Sequence, residues 1–136
     1  MPSWLPFALA TLGCWGLWGF LQKPAAASIG PWSTIVFQGA ANFLVSVAVV
    51  IFMRFQVDLH PVGVPAALAA GFLGSAGTLG FLYAVGRGET STILPFTAMY
   101  PVLTILLSVI FLRETVSITQ GIGILCAIAA IYFLSR

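Results

Sequence analysis

The sequence predicts an all-α integral membrane protein, a bundle of five transmembrane helices, and three observations carry that expectation. The first is composition: the 136 residues are 60% hydrophobic and only 6% charged, with a mean hydropathy of +1.10. A soluble domain carries about 25% charged residues to solvate its surface, so the expected solvent is lipid. The second is the spacing of the charges. A Lys, Arg or Asp at the bilayer centre costs about 2.5–3.5 kcal/mol, so spans lie between them. The uncharged stretches 4–22, 32–53, 62–86, 90–112 and 115–135 are each of helix length. At about 1.5 Å per residue, about 20 residues cross the hydrocarbon core, and a helix satisfies its own backbone there. The third is the brevity of the connections 23–31, 54–61, 87–89 and 113–114. They make consecutive helices antiparallel neighbours in one compact domain over 1–136 and leave no room for an extramembrane catalytic domain.

The first span opens on Trp4, an interfacial anchor, and sets Thr11, Trp15, Trp18 and Gln22 on one side at helical spacing. Trp15 lies inward of any interfacial belt. It suits a cavity that takes an amphipathic or cationic solute by stacking or cation–π contact, and equally plain core packing. Ala25, Ala26 and Ala27 after this run resemble a signal-peptide cleavage site. The basic n-region is missing and the run exceeds the usual length of about 7–15 residues, so the segment is expected to be retained; a cut would leave four helices.

In the second span Thr34, Gln38, Asn42 and Ser46 recur every four residues and form one slowly turning stripe. Polar groups facing lipid lack hydrogen-bond partners, so the stripe must turn away from it. It reads as the wall of a substrate path, or as interhelical hydrogen bonding worth about 0.6 kcal/mol per bond. The third span places Ala67, Gly71 and Ser75 on one face and Ala70, Gly74 and Thr78 on another, which predicts close helix approach. Thr78 also adds a hydroxyl to the candidate path.

The fourth span contains Pro95 and Pro101, which remove backbone donors, kink the helix and free carbonyls for neighbours or a solute. Tyr83, Thr97, Tyr100 and Thr104 are candidates to line that interruption. In the fifth, Gly123 and Ala127 make a small-xxx-small face suited to a neighbouring helix or a dimer partner. Cys14 and Cys126 sit far apart in apolar stretches, fit neither a disulfide nor a metal site, and read as small buried residues.

The net charge of +2 is spread thinly, with no basic patch, which argues against a nucleic-acid partner. Five helices put Arg54, Arg113 and the terminal amine on one side and Lys23, Arg87 and Arg136 on the other. With so small a bias, insertion in both orientations and insertion in one, set by the charges nearest the first helix, are both consistent with the sequence. No ionisable residue falls near the middle of a span, so no buried proton relay is visible. Glu89 and Glu114, beside Arg87 and Arg113, read as solvated ion pairs, and His60 as an ordinary loop residue. There is no Ser/His/Asp arrangement, phosphate-cradling loop or metal-ligand cluster, so neither catalysis nor a metal or other cofactor is expected.

Three stretches then act together: Trp15-Gly16 and Trp18-Gly19 followed by Lys23; the segment 74–87, GSAGTLGFLYAVGR; and 100–134, with Pro101, a Leu/Val run, Arg113-Glu114 and the Gln-Gly-x-Gly of 120–123. In order and spacing they resemble the EamA-like unit of the drug/metabolite transporter superfamily across nearly the whole chain. A departure is Gln38, where many relatives carry an Arg in the second helix, so no role of that Arg transfers. The resemblance implies one half of a ten-helix inverted-repeat fold in the bacterial inner (plasma) membrane. It implies a small secondary transporter of an organic metabolite or drug-like solute, working by alternating access as a homodimer, parallel or antiparallel, or with a sister subunit. The alternative is a non-transporting membrane subunit whose polar stripe serves helix packing alone.

Overall fold

The computed structural model describes residues 3–134, which are helical with no strand. In chain order the helices are α1 (Leu5–Phe52), α2 (Gly63–Val85), α3 (Thr90–Thr97), α4 (Tyr100–Phe111) and α5 (Ile118–Leu134). They form two compact units, Met1–Gly86 and Arg87–Arg136. Ser135, the expected end of the fifth span, and Met1 and Arg136, which entered the charge balance, lie outside the described residues.

A straight helix of the 48 residues in α1 would measure about 72 Å, more than twice a hydrocarbon core of about 30 Å. It is not straight. Gly30 adopts φ 75°, ψ 160°, a region essentially reserved for glycine, and it breaks the helix into arms 5–29 and 31–52. Gln38 Nε2 donates to Gln22 Oε1 at 2.7 Å across this corner. Each glutamine lies eight residues from Gly30, about 12 Å along its arm, so two side chains can meet there only if the arms fold back alongside each other. The connection expected at 23–31 is therefore not a loop. Helix runs to the edge of the corner on both sides, and one residue makes the turn. The reason is local: Ala25, Ala26 and Ala27 are strong helix formers, whereas Pro31 has no N–H and drives the residue before it out of the α region.

The first unit packs around this corner. Gly19, Gln22 and Ala26, at i, i+3 and i+7, form the buried face of the first arm, with Thr34 on the second and Leu82 and Val85 on the last turns of α2. Trp18 stacks on Phe81 with ring centroids 5.6 Å apart, and Trp32 meets Tyr83 edge-on at 5.9 Å. Elsewhere large apolar side chains, among them Phe7, Leu12, Phe20, Phe43, Leu68 and Phe72, point outward, an arrangement suited to lipid and costly in water. Cys14 and Cys126 are free and exposed, not buried as expected. In lipid a small apolar residue gains little from turning inward, so hydrophobicity does not assign its side.

Helix ends are set by side chains the sequence pattern did not single out. His60 Nδ1 accepts the amides of Val62 and Gly63, each at 3.3 Å, and so caps α2. Ser117 Oγ accepts the Gln120 amide while Gln120 Oε1 accepts from both the amide and the hydroxyl of Ser117. This reciprocal capping box starts α5 at Ile118, where 115 was expected. The fourth span is interrupted at Ala98 and Met99, which lie in a turn between α3 and α4, with Pro95 and Pro101 on either side. Three helical segments are long and apolar enough to cross a membrane: α1, α2, and α3 with α4 together as Thr90–Phe111; α5 is apolar but shorter, at 17 residues.

Candidate functional site

The hydroxyls of the polar stripe come first, because most are satisfied within their own helix. Thr34 Oγ1 donates to the Gly30 carbonyl at 2.8 Å, Ser46 Oγ to Asn42 at 2.9 Å, and Thr78 Oγ1 to Gly74 at 2.8 Å. Thr97 Oγ1 donates to the Ile93 and Leu94 carbonyls and Thr104 Oγ1 to that of Tyr100. These groups can face an apolar environment without a second helix. The carboxamides cannot. Gln22 is 2% exposed and is held by Gln38, while Asn42, one turn further along the second arm, is exposed.

Gln38 and Asn42 open onto a groove of about 260 Å³ between the second arm of α1 and α2. One wall is Ile35, Gln38, Gly39 and Asn42; the other is Gly71, Gly74, Ser75 and Thr78. Both sets follow i, i+3, i+4, i+7, a single face of each helix. Gly71 and Ser75 of one expected row and Gly74 and Thr78 of the other therefore share one wall, while Ala67 and Ala70 do not line it. Within the chain these glycines stand open: a Cβ built at Gly71, Gly74 or Gly39 meets no atom within 4 Å. Their missing side chains widen the groove.

The remaining candidates are placed as follows. Trp18 and Tyr83 are engaged with Phe81 and Trp32, and Trp15 is 61% exposed. Ser46, also exposed, lies one turn beyond Asn42. Thr97, Tyr100 and Thr104 are exposed on α3 and α4 in the second unit and do not line the groove. Gly123 and Ala127 line a different feature, an apolar trough of about 430 Å³ shared by α4 and α5, with Pro101, Val102, Ile105 and Glu114. A Cβ at Gly123 also meets nothing within 4 Å. Sequence reading missed Ile35 and Gly39, although the i, i+3, i+4, i+7 spacing around Gln38 and Asn42 contains both.

Span-length apolar helices, lipid-suited outer faces and a polar groove inside the first unit define a multi-pass integral membrane protein. The chain belongs to the EamA-like transporter family, whose model matches residues 2–136. It is 36% identical over 69 residues to an uncharacterised protein of Methanocaldococcus jannaschii; the match takes in 51% of this chain and spans 50% of that relative's length. No solved structure matches the chain.

Proposed function

We propose that the protein is a secondary transporter of a small organic solute, and that the groove between the second arm of α1 and α2 is one wall of the solute path. The carrying observation is that polar side chains and open volume coincide there: Gln38, Asn42, Ser75 and Thr78 line one space that the glycines keep wide. Membership of a transporter family supports the same reading. In this reading the chain crosses the bilayer five times, as 5–29, 31–52, α2, α3 with α4, and α5, the Gly30 corner turning one 48-residue helix into two spans. An odd number of crossings makes one unit half of an inverted pair, so two copies, or one copy and a sister subunit, complete the path and rock about it.

The test is solute flux into proteoliposomes, comparing the native chain with Gly74→Leu, which fills the groove from its α2 wall. Nothing lies within 4 Å of the Gly74 Cβ position, so the variant is expected to fold and to lose most of its flux. Undiminished flux in Gly74→Leu removes the groove from the path. Absence of flux from the native chain across a broad solute panel favours the non-transporting subunit, in which the same open wall receives a partner helix.

A further inference from the structure

We infer that this groove selects small, uncharged, hydrogen-bonding solutes, carboxamides above all, an assignment that rests on the transport reading above and narrows it. The walls offer carboxamide and hydroxyl groups from Gln38, Asn42, Ser75 and Thr78 and no ionisable group. The first unit's own charged residues, Lys23, Arg54 and Asp58, are absent from the lining. A solute carrying net charge would leave water without a counter-charge to meet it, the most expensive transfer a membrane interior can impose.

Aromatic faces do not substitute for a carboxylate. No ring lines the groove: Phe37, Phe43 and Phe72, which adjoin lining residues in sequence, are exposed and absent from its walls, so a cation within it meets no π-face of this unit. The polar groups match a carboxamide instead. Gln38 spends an Nε2 hydrogen on Gln22 and keeps Oε1 as an acceptor, and the exposed Asn42 side chain supplies both a donor and an acceptor. Thr78, whose hydroxyl hydrogen is committed to Gly74, presents only its oxygen lone pairs. A site with this balance rewards a guest that donates and accepts at once. The groove is small: about 260 Å³ lies just below the range of about 300–1,000 Å³ of drug-sized pockets.

Matched triplets test this directly: benzamide, benzylamine and benzoate, and nicotinamide, 3-picolylamine and nicotinate. Each is measured for the shift it gives the thermal midpoint of the purified full chain and for uptake into proteoliposomes. The carboxamide of each triplet is expected to bind and enter at least about 10-fold better than its amine or carboxylate. In Asn42→Leu that preference is expected to vanish while the ligand-free midpoint stays within the native range, since Asn42 is exposed. Uptake of an amine or carboxylate at or above the level of its carboxamide overturns the uncharged-solute assignment and leaves transport standing. A carboxamide preference undiminished in Asn42→Leu overturns the assignment of this groove as its source. Failure of every member to bind or enter overturns the carboxamide assignment, and flux of the native chain across the broad solute panel then decides the transport reading separately.

Discussion

Gly30 concentrates more structural consequence than any other residue, and its environment separates backbone strain from crowding. Its φ of 75° and ψ of 160° are closed to residues with a Cβ, yet a Cβ built there meets no neighbouring atom within 4 Å. Substitution should therefore cost conformational strain alone. Gly30→Ala is expected to lower stability by about 1–3 kcal/mol, read as a fall in the thermal midpoint in detergent. Gly77→Ala is the control: it also has open space at its Cβ position but sits in regular helix, where alanine is favoured by about 1 kcal/mol, so its midpoint should hold or rise. Equal losses in the two variants would show that the corner is not maintained by the glycine conformation. The loss in Gly30→Ala should also free Gln22 from Gln38, because their 2.7 Å bond exists only while the arms lie side by side.

At the scale of elements, the helices are legible from charge spacing because a buried charge is costly; their ends are less so, because caps are made by single side chains. The stretch 62–86 corresponds closely to α2, while 115–135 overruns the start of α5 by three residues because Ser117 and Gln120 cap it at Ile118. The pattern Ser-x-x-Gln at 117–120 is present in the sequence and states this boundary to a reader looking for caps. The corner was hidden for a different reason: Gly30-Pro31 reads as part of an ordinary connection, whereas the backbone leaves the helix at Gly30 alone and the Gln22–Gln38 bond holds the arms side by side. For the groove, the polar half of each wall was readable as periodicity. The role of its glycines was not, since sequence cannot distinguish a glycine that admits a neighbouring helix from one that leaves space. The cap carries its own prediction. Ser117→Ala should destabilise α5 by about 1 kcal/mol and speed hydrogen exchange in its first turn, while the α2 amides keep their protection. Unchanged exchange at 118–121 would mean that packing, not the capping box, holds the start of α5.

For the whole molecule the open variable is orientation, and the folded connections sharpen what the charges say about it. In the five-crossing reading proposed above, the Gly30 corner and the turn at 86–89 fall on one side of the bilayer and the loops at 53–62 and 112–117 on the other. The basic residues nearest the first side are Lys23 and Arg87, and those nearest the second are Arg54 and Arg113: two against two among the described residues. Orientation follows a Lys/Arg excess across the membrane, so a tie withdraws the signal that would fix one direction. Dual insertion is the expected result. Asp58→Cys in the exposed 53–62 loop, in a background where Cys14 and Cys126 are replaced by Ser and Ala, gives a single probe. An impermeant thiol reagent should label part of the population from outside intact cells and the rest only after the membrane is opened. Comparable fractions would establish both orientations and let two identical copies form the inverted pair that the transport reading requires. Labelling from one side alone would exclude that pairing and require an inverted sister subunit to complete the path, because two parallel copies of an odd-crossing unit cannot reproduce an inverted repeat.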